Sequence, residues 1–146
     1  GRTAAELVER LEYERRPSPC VINGMPVDDL RDVDDRFGGI VELLTTTGKY
    51  FWVEQSEIVS LHFDKPERTL DLLWRRAEIT LTTGTTGQVF IPAVYPTATT
   101  NAEAQLGRAT DWQEEQGVAI GIGQRIWLAG AEAIALNDVE YVEFQQ

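Results

Sequence analysis

The chain has 146 residues, a length typical of one domain, and its 42% hydrophobic content is that of a folded protein rather than a disordered one. Its formal net charge of −11 argues against a protein that binds nucleic acid through clustered basic residues. One cysteine and one histidine exclude an internal disulfide, a multi-cysteine zinc site and a paired-histidine metal site. Because no apolar run approaches the ~20 residues of a membrane span and no signal-peptide pattern is present, we expect a cytoplasmic protein.

The first predicted element is an amphipathic helix over residues 3–16. Thr3 and Glu6 have the spacing of a capping box, and Pro17 ends the helix. The apolar stripe of this helix comprises Leu7, Val8 and Leu11. A lone helix of this length is marginal in water. We therefore expect it to pack on the domain that follows or to be the last helix of a domain that precedes it.

From residue 20 the apolar residues alternate with a period near two, which predicts antiparallel strands. Asn23-Gly24 favours a hairpin turn. The predicted strands are 20–22 with 25–27, 39–44 with 49–53, 58–63, and 77–82 with 88–94. Pro92 and Pro96 place the strand over 88–94 at a sheet edge or at a bulge.

The second half of the chain adds short helical turns over 69–74 and 101–106 and two alternating runs, 124–129 and 134–144. Closely spaced hairpins with only short helices indicate an α+β fold that is mostly antiparallel β. We expect a small barrel-like or sandwich-like domain.

Five aspartates lie close together between residues 28 and 36. A calcium loop starting at Asp32 would need glycine at its sixth position and glutamate at its twelfth, where Phe37 and Leu43 stand. We therefore expect a solvated loop whose aspartates cap turns. Ion pairs to Arg31 and Arg36, or a partner surface, are the alternatives.

No pattern in the chain indicates catalysis. His62 lies on a predicted strand without a nucleophile-elbow motif elsewhere, so we interpret it as structural. Cys20 is typical of a small buried hydrophobe. Gly121 and Gly123 lack the third glycine of a dinucleotide fingerprint, since Ile126 stands there, and they favour a bulge or a tight bend. We expect no enzyme activity, no cofactor and no metal.

Aromatic residues near arginines are better candidates for binding. In the run Tyr50-Phe51-Trp52 the middle side chain of a strand points opposite to the other two, so we expect one of the two faces to be core. Trp74-Arg75 and the segment from Arg108 to Trp112 each combine tryptophan with arginine, a pairing enriched in interface hot spots. The alternative for each is a core aromatic flanked by solvated charge.

Seven short motifs, taken in chain order, resemble one family. They are Asp28–Arg36, Gly48–Val53, Pro66–Arg68, Asp71–Trp74, Phe90–Pro96, Leu106–Trp112 and Gly121–Arg125. This ordered set is similar to the C-terminal domain of the ImpE family, also called TagJ or SciE, an accessory component of bacterial type VI secretion systems. The resemblance covers residues 20–144, nearly the whole chain.

The resemblance implies a non-enzymatic adaptor. Members bind the small subunit of the contractile sheath near its N-terminal helix and are linked to the ATPase that recycles contracted sheath. Residues 1–17 would then be the trailing helix or linker of a helical-repeat domain, and residues 18–146 the ImpE-like β-rich domain. The candidate partner-binding residues are Tyr50, Trp52, Trp74, Arg75, Arg108, Asp111, Trp112, Gln124 and Arg125.

Two alternatives remain open at this point. A buried polar network of Asp111, Gln124 and Arg125 would make the motif residues folding determinants rather than contacts. A scaffold or dimerisation domain, forming a homodimer through an exposed strand edge, would leave partner binding to the N-terminal helical-repeat domain. We expect no nucleic-acid or membrane partner in either case.

Overall fold

Antiparallel strands make up most of the fold, and the α+β class predicted from the sequence is confirmed. The structure, a computed structural model, describes residues 3–146, and it describes their side chains except at positions 69 and 70. Gly1 and Arg2 of the predicted segment 1–17 lie outside the described residues. The elements are, in chain order, α1 (Ala4–Glu14), β1 (Cys20–Ile22), β2 (Met25–Val27), β3 (Leu30–Asp32), β4 (Ile40–Thr45), β5 (Tyr50–Glu54), β6 (Ile58–Phe63), β7 (Trp74–Leu81), β8 (Thr86–Pro92), α2 (Ala102–Gln105), β9 (Thr110–Glu115), β10 (Val118–Gly123), β11 (Ile126–Ala129), β12 (Glu132–Ala135) and β13 (Tyr141–Phe144), with 3-10 turns at Gln55–Glu57, Thr69–Leu72 and Leu136–Asp138.

Helix α1 has the predicted capping box. The Thr3 hydroxyl accepts from the Glu6 N–H, and the Glu6 carboxylate accepts from the Thr3 N–H. Arg15, just after the helix, donates to Asp29 at 3.0 Å. None of the residues of α1 is buried, and Leu11 is 65% exposed. Ion pairs of Arg15 with Asp29 and of Glu12 with Arg31 attach the helix region to the domain, and the apolar stripe of the helix is only partly covered.

The largest sheet has eight antiparallel strands in the order β2-β1-β13-β6-β7-β8-β4-β5. The β1–β2 turn has positive φ at Asn23 (49°) and Gly24 (80°), as the Asn-Gly signal predicts. Strand β13 lies between β1 and β6, with Phe144 opposite Cys20 and Tyr141 opposite His62. The last strand of the chain thus joins the two parts of this sheet.

The prediction that the strand ending at Pro92 lies at an edge is wrong, because β8 lies between β7 and β4. Strand β4 pairs only with residues 89 and 90 of β8, so the N–H that Pro92 lacks is not needed there. On this side of the sheet the edge strand is β5. Since Tyr50, Phe51 and Trp52 are 52%, 47% and 57% exposed, the prediction that one face of this run is core is also wrong.

Two small sheets complete the fold: β12-β11-β3 and the hairpin β9–β10. The run 134–144, predicted as one alternating segment, is divided by the turn Leu136–Asp138 into β12 and β13. The buried core includes Leu30 and Trp127 from the three-stranded sheet and Leu61 and Val142 from the large one. The two sheets therefore share one core.

Candidate partner-binding surface

Arg125 lies at the centre of a buried charge network. Its guanidinium donates to Asp32 at 2.6 Å, to Glu42, and to the carbonyl oxygen of Pro92 at 3.0 Å. Arg125, Asp32 and Glu42 are 2%, 1% and 5% exposed. Burial raises the pKa of Asp32, and the charge of Arg125 opposes that rise. Because Asp32 ends β3 and Glu42 lies in β4, the guanidinium ties the small sheet to the large one.

The aspartate cluster is only partly in solvent. The expectation of a solvated loop is wrong for Asp32 and Asp34, which are 1% and 0% exposed. The Asp34 carboxylate accepts from Arg36 at 2.7 Å and from the N–H of Gly121 at 2.7 Å. The predicted ion pairs of Arg31 and Arg36 with this cluster are present. These aspartates attach the segment after β3 to β10 and stabilise the fold.

Aromatic rings connect Arg125 to the surface. The guanidinium carbon lies 4.7 Å from the Phe37 ring centroid and 4.8 Å from that of Tyr95. Trp52 packs edge-on against Phe37 with 6.1 Å between centroids, and Trp112 against Tyr95 with 5.8 Å. We call these five residues the aromatic–arginine stack. Trp52 and Trp112, 57% and 42% exposed, are its two solvent-facing ends.

A groove of about 300 Å³ lies beside the Trp112 end of the stack. We call it the Trp112 groove; it is lined by Val94, Tyr95, Thr97, Ala98, Thr99, Ala104, Gln105 and Gly123. Of the two glycines predicted to allow a bulge or bend, Gly123 has a positive φ of 83° at the end of β10. Gly121 instead allows a close approach, since a Cβ there would lie 2.3 Å from the Tyr95 ring. Leu106, 42% exposed, follows α2 on the same part of the chain. The groove therefore has small lining side chains and large exposed apolar residues nearby.

The β5 end of the stack is joined to the buried network. The indole N–H of Trp52 donates to the Tyr50 hydroxyl at 2.6 Å, and that hydroxyl donates to Glu42. Burial and the hydrogen bond to Glu42 raise the pKa of Tyr50 above its ordinary value. The structure thus brings together three candidates at this end, Tyr50, Trp52 and Arg125, and the stack joins them to a fourth, Trp112.

Arg75 lies inside the domain and apart from the stack. Its guanidinium, 2% exposed, donates to the carbonyl oxygens of Leu136 (2.7 Å) and Val139 (3.1 Å) and lies 4.8 Å from the Phe63 ring centroid. Burial lowers the pKa of Arg75. Trp74, at the start of β7, is 36% exposed. Neither Arg75 nor Arg125 therefore presents its guanidinium at the surface of this domain.

The other candidates lie in and around β9. Arg108 and Asp111 are exposed, and the Asp111 carboxylate accepts from the Trp112 N–H at 2.8 Å. Gln124 is half-buried and pairs with the segment after β8. The polar network suggested for Asp111, Gln124 and Arg125 does not form, since Arg125 instead pairs with the two buried carboxylates described above.

Three members of the site were missed from the sequence: Phe37, Glu42 and Tyr95. Glu42 carried a usable signal, because it lies within the apolar run from Ile40 to Leu44. A carboxylate in a strand of that kind has to find a buried donor. Phe37 and Tyr95 carried none, because their contacts in the stack join residues 15 to 88 positions apart and leave no local pattern.

The described residues give little support for a catalytic or metal-binding site. His62 is exposed and packs edge-on against Tyr141 at 5.6 Å between ring centroids. Within the described residues, no group of three or more His, Cys, Asp or Glu side chains is placed to hold a metal ion. Among residues 3–146 no helix has the length and apolar character to cross a bilayer.

Comparisons with known proteins agree with one another. The family model described as ImpE protein matches residues 24–143. The type VI secretion system accessory component TagJ of Pseudomonas aeruginosa is 30% identical over 145 residues, which are 97% of this chain and 50% of that protein. The crystal structure of protein VPA1032 from Vibrio parahaemolyticus has a TM-score of 0.90 at 30% identity and covers 97% of this chain and 54% of that one. The chain thus spans about half the length of these two proteins.

Proposed function

This chain belongs to the ImpE family, and from this premise we propose that it acts in an accessory component of a bacterial type VI secretion system. The name of the Pseudomonas aeruginosa relative supports this role, which we extend to the described domain because the match covers 97% of the chain. The proposed role is that of a non-enzymatic cytoplasmic adaptor. In this proposal residues 1–17 link a helical-repeat domain to the β-rich domain of residues 18–146.

The proposed partner is the small sheath subunit, and the proposed contact is the Trp112 groove. The observation that carries this proposal is the exposed Trp112 beside a groove of about 300 Å³. An amphipathic helix docks through apolar side chains spaced three or four residues apart. One such side chain would enter the groove while its neighbours cover Trp112 and Leu106. Arg108 and Asp111 would supply polar contacts at the rim.

A link to the ATPase that recycles contracted sheath belongs to the same proposal. An adaptor that holds the small sheath subunit would act on that ATPase indirectly, by presenting or protecting its substrate. The alternative function is a scaffold, with partner binding carried by a helical-repeat domain. One observation favours it: the relatives are about twice as long as this chain, so half of their length lies outside the match.

Calorimetric titration tests the proposal. The titrant is a peptide of the N-terminal helix of the small sheath subunit from the same secretion system. We expect micromolar binding that weakens at least about tenfold in Trp112→Ala, the usual effect of losing an aromatic anchor. Arg108→Ala should weaken binding less, because rim contacts contribute little. Tyr13→Ala is the matched control, since Tyr13 is a 90% exposed aromatic on α1.

Circular dichroism and thermal unfolding establish that each variant is folded. Unchanged affinity in Trp112→Ala would refute the Trp112 groove as the contact. No heat at high concentration, while a longer protein with the helical repeats binds the same peptide, would favour the scaffold function instead.

A further inference from the structure

The free edge of β5 lacks the features that usually protect an edge strand. The other edge of the large sheet, β2, carries the exposed Pro26, which cannot donate to an added strand. The edge strand β9 carries three exposed acidic residues, Asp111, Glu114 and Glu115. Strand β5 instead presents the exposed aromatic run Tyr50-Phe51-Trp52 and pairs with β4 without a bulge. It is therefore suited to accept another strand.

The hydrogen-bond pattern shows which backbone groups face that edge. The Thr45 N–H donates to the Lys49 carbonyl at 2.8 Å, and the Gln55 N–H donates to the Gly39 carbonyl at 2.9 Å. Hydrogen-bonded residues alternate along an antiparallel pair, so positions 49, 51, 53 and 55 bond to β4. The N–H and carbonyl groups of Tyr50, Trp52 and Glu54 consequently point away from the sheet.

We propose that β5 pairs with β5 of a second copy of this chain, antiparallel and with Trp52 opposite Trp52. A two-fold axis perpendicular to a sheet requires a residue to lie opposite its own copy. Placing the axis at Trp52 sets Tyr50 opposite Glu54 on both sides. This register pairs all three outward-facing residues, so the edge is self-complementary in hydrogen bonding.

Side chains and charge support a second copy as the occupant. In this register Phe51 lies opposite Val53 of the second copy, which makes an apolar cross-strand pair on one face. The two Trp52 side chains meet on the other face. The exposed Lys49 precedes the strand and the exposed Glu54 ends it, so antiparallel pairing places opposite charges at the same end of the interface, on opposite faces of the sheet.

The expected dimer is weak. Pairing of one edge strand with few flanking side chains lies at the small end of specific interfaces, for which dissociation constants on the order of micromolar are usual. The inference deepens the dimerisation function considered above and rests on the adaptor role only for its biological use. Pairing through β5 leaves the Trp112 groove free for the sheath peptide. Loss of dimerisation and loss of peptide binding can therefore be observed separately, and each refutes only its own proposal.

Analytical ultracentrifugation of the chain from about 1 to about 500 µM tests the proposal. We expect wild type to dimerise and Glu54→Pro to remain monomeric over this range. The φ of Glu54 is −71°, which proline accepts, and its N–H faces the free edge, so the substitution leaves the β4–β5 ladder intact. Glu54→Gln, which keeps the N–H, is the matched control and should still dimerise. A monomeric wild type, or Glu54→Pro that dimerises like Glu54→Gln, would overturn the proposal.

Cysteine cross-linking tests the register. In the proposed pairing Trp52 is the one residue of β5 that lies opposite its own copy, so Trp52→Cys should form an intermolecular disulfide under mild oxidation. Glu54→Cys is the matched control, because the two copies of residue 54 would lie four positions apart, on the order of 13 Å, which is too far for a disulfide. Cross-linking of Glu54→Cys as fast as that of Trp52→Cys would refute the antiparallel Trp52 register.

Discussion

The substitution Arg125→Met should destabilise the domain by about 3–5 kcal/mol at neutral pH, the usual cost of removing one partner of a buried ion pair. Methionine fills much of the arginine stem but leaves Asp32 and Glu42 without their cation. Both carboxylates remain buried, at 1% and 5% exposure. The rings of Phe37 and Tyr95 also lose the guanidinium between Trp52 and Trp112, so the stack should loosen.

The loss should depend on pH in a definite direction. Burial already raises the pKa of Asp32 with Arg125 present, and removing the cation raises it further. A carboxyl with a raised pKa in the folded state binds more protons when folded than when unfolded. The contribution of this carboxyl to stability therefore falls as the pH rises above about 3.9, the pKa of an aspartate side chain in the unfolded chain. Arg125→Met should accordingly be less destabilised at pH 5 than at pH 7.

Urea unfolding followed by tryptophan fluorescence at pH 5 and pH 7 measures both effects. Arg76→Met is the matched control, because the Arg76 side chain is 50% exposed and lies 3.5 Å from Asp64, a contact worth less than about 1 kcal/mol. A loss at pH 7 no larger than that of the control would refute the role assigned to Arg125. A loss that grows from pH 7 to pH 5 would refute the account of its buried carboxylates.

Three further predictions concern packing, reactivity and capping. Gly121→Ala should lower the free energy of unfolding by about 1–3 kcal/mol, because the added Cβ would overlap the Tyr95 ring. Gly87→Ala is the control, since the space around Gly87 is open, and it should have little effect. Thermal unfolding of both variants measures the difference. The Cys20 thiol, which is buried and whose pKa burial raises to about 11, should react with a thiol reagent at pH 8 only after denaturant is added; fast reaction of the native protein would contradict its burial. Thr3→Ala should cost α1 about 1 kcal/mol and speed amide hydrogen exchange in its first turn, and unchanged exchange would show that the cap contributes nothing.

Local signals predicted the elements that depend on local chemistry. The capping box at Thr3, the Asn23-Gly24 turn and the helix after Asn101 all arise from residues within a few positions of one another. The class of the fold followed from the strand period and the frequent turns. The β9–β10 hairpin escaped prediction because Asp111 to Glu115 is almost entirely polar and the strand is exposed along its length.

The centre of the candidate site could not be found in this way. Arg125 meets Asp32 and Glu42 across about 90 positions of sequence, and nothing near Arg125 specifies those partners. Isolated carboxylates are usually solvated, which favours that interpretation of the aspartates from sequence. Asp32 is buried instead because Arg125, between β10 and β11, supplies a cation. Exposure on both faces of β5 was likewise unpredictable, since strand order decides which strands are edges.

The place of β13 in the large sheet has a consequence for synthesis on the ribosome. Strands β1 and β2 reach the rest of that sheet only through β13, which lies between β1 and β6. At a translation rate of ~5–20 residues per second, the nascent β1–β2 hairpin waits roughly 6–23 s for β13 to be made. During that interval its apolar residues Cys20 and Ile22 lack their native neighbours. Completion of the sheet therefore has to wait for residues 141–144, and a ribosome stalled before residue 141 would carry an open sheet that general chaperones can bind.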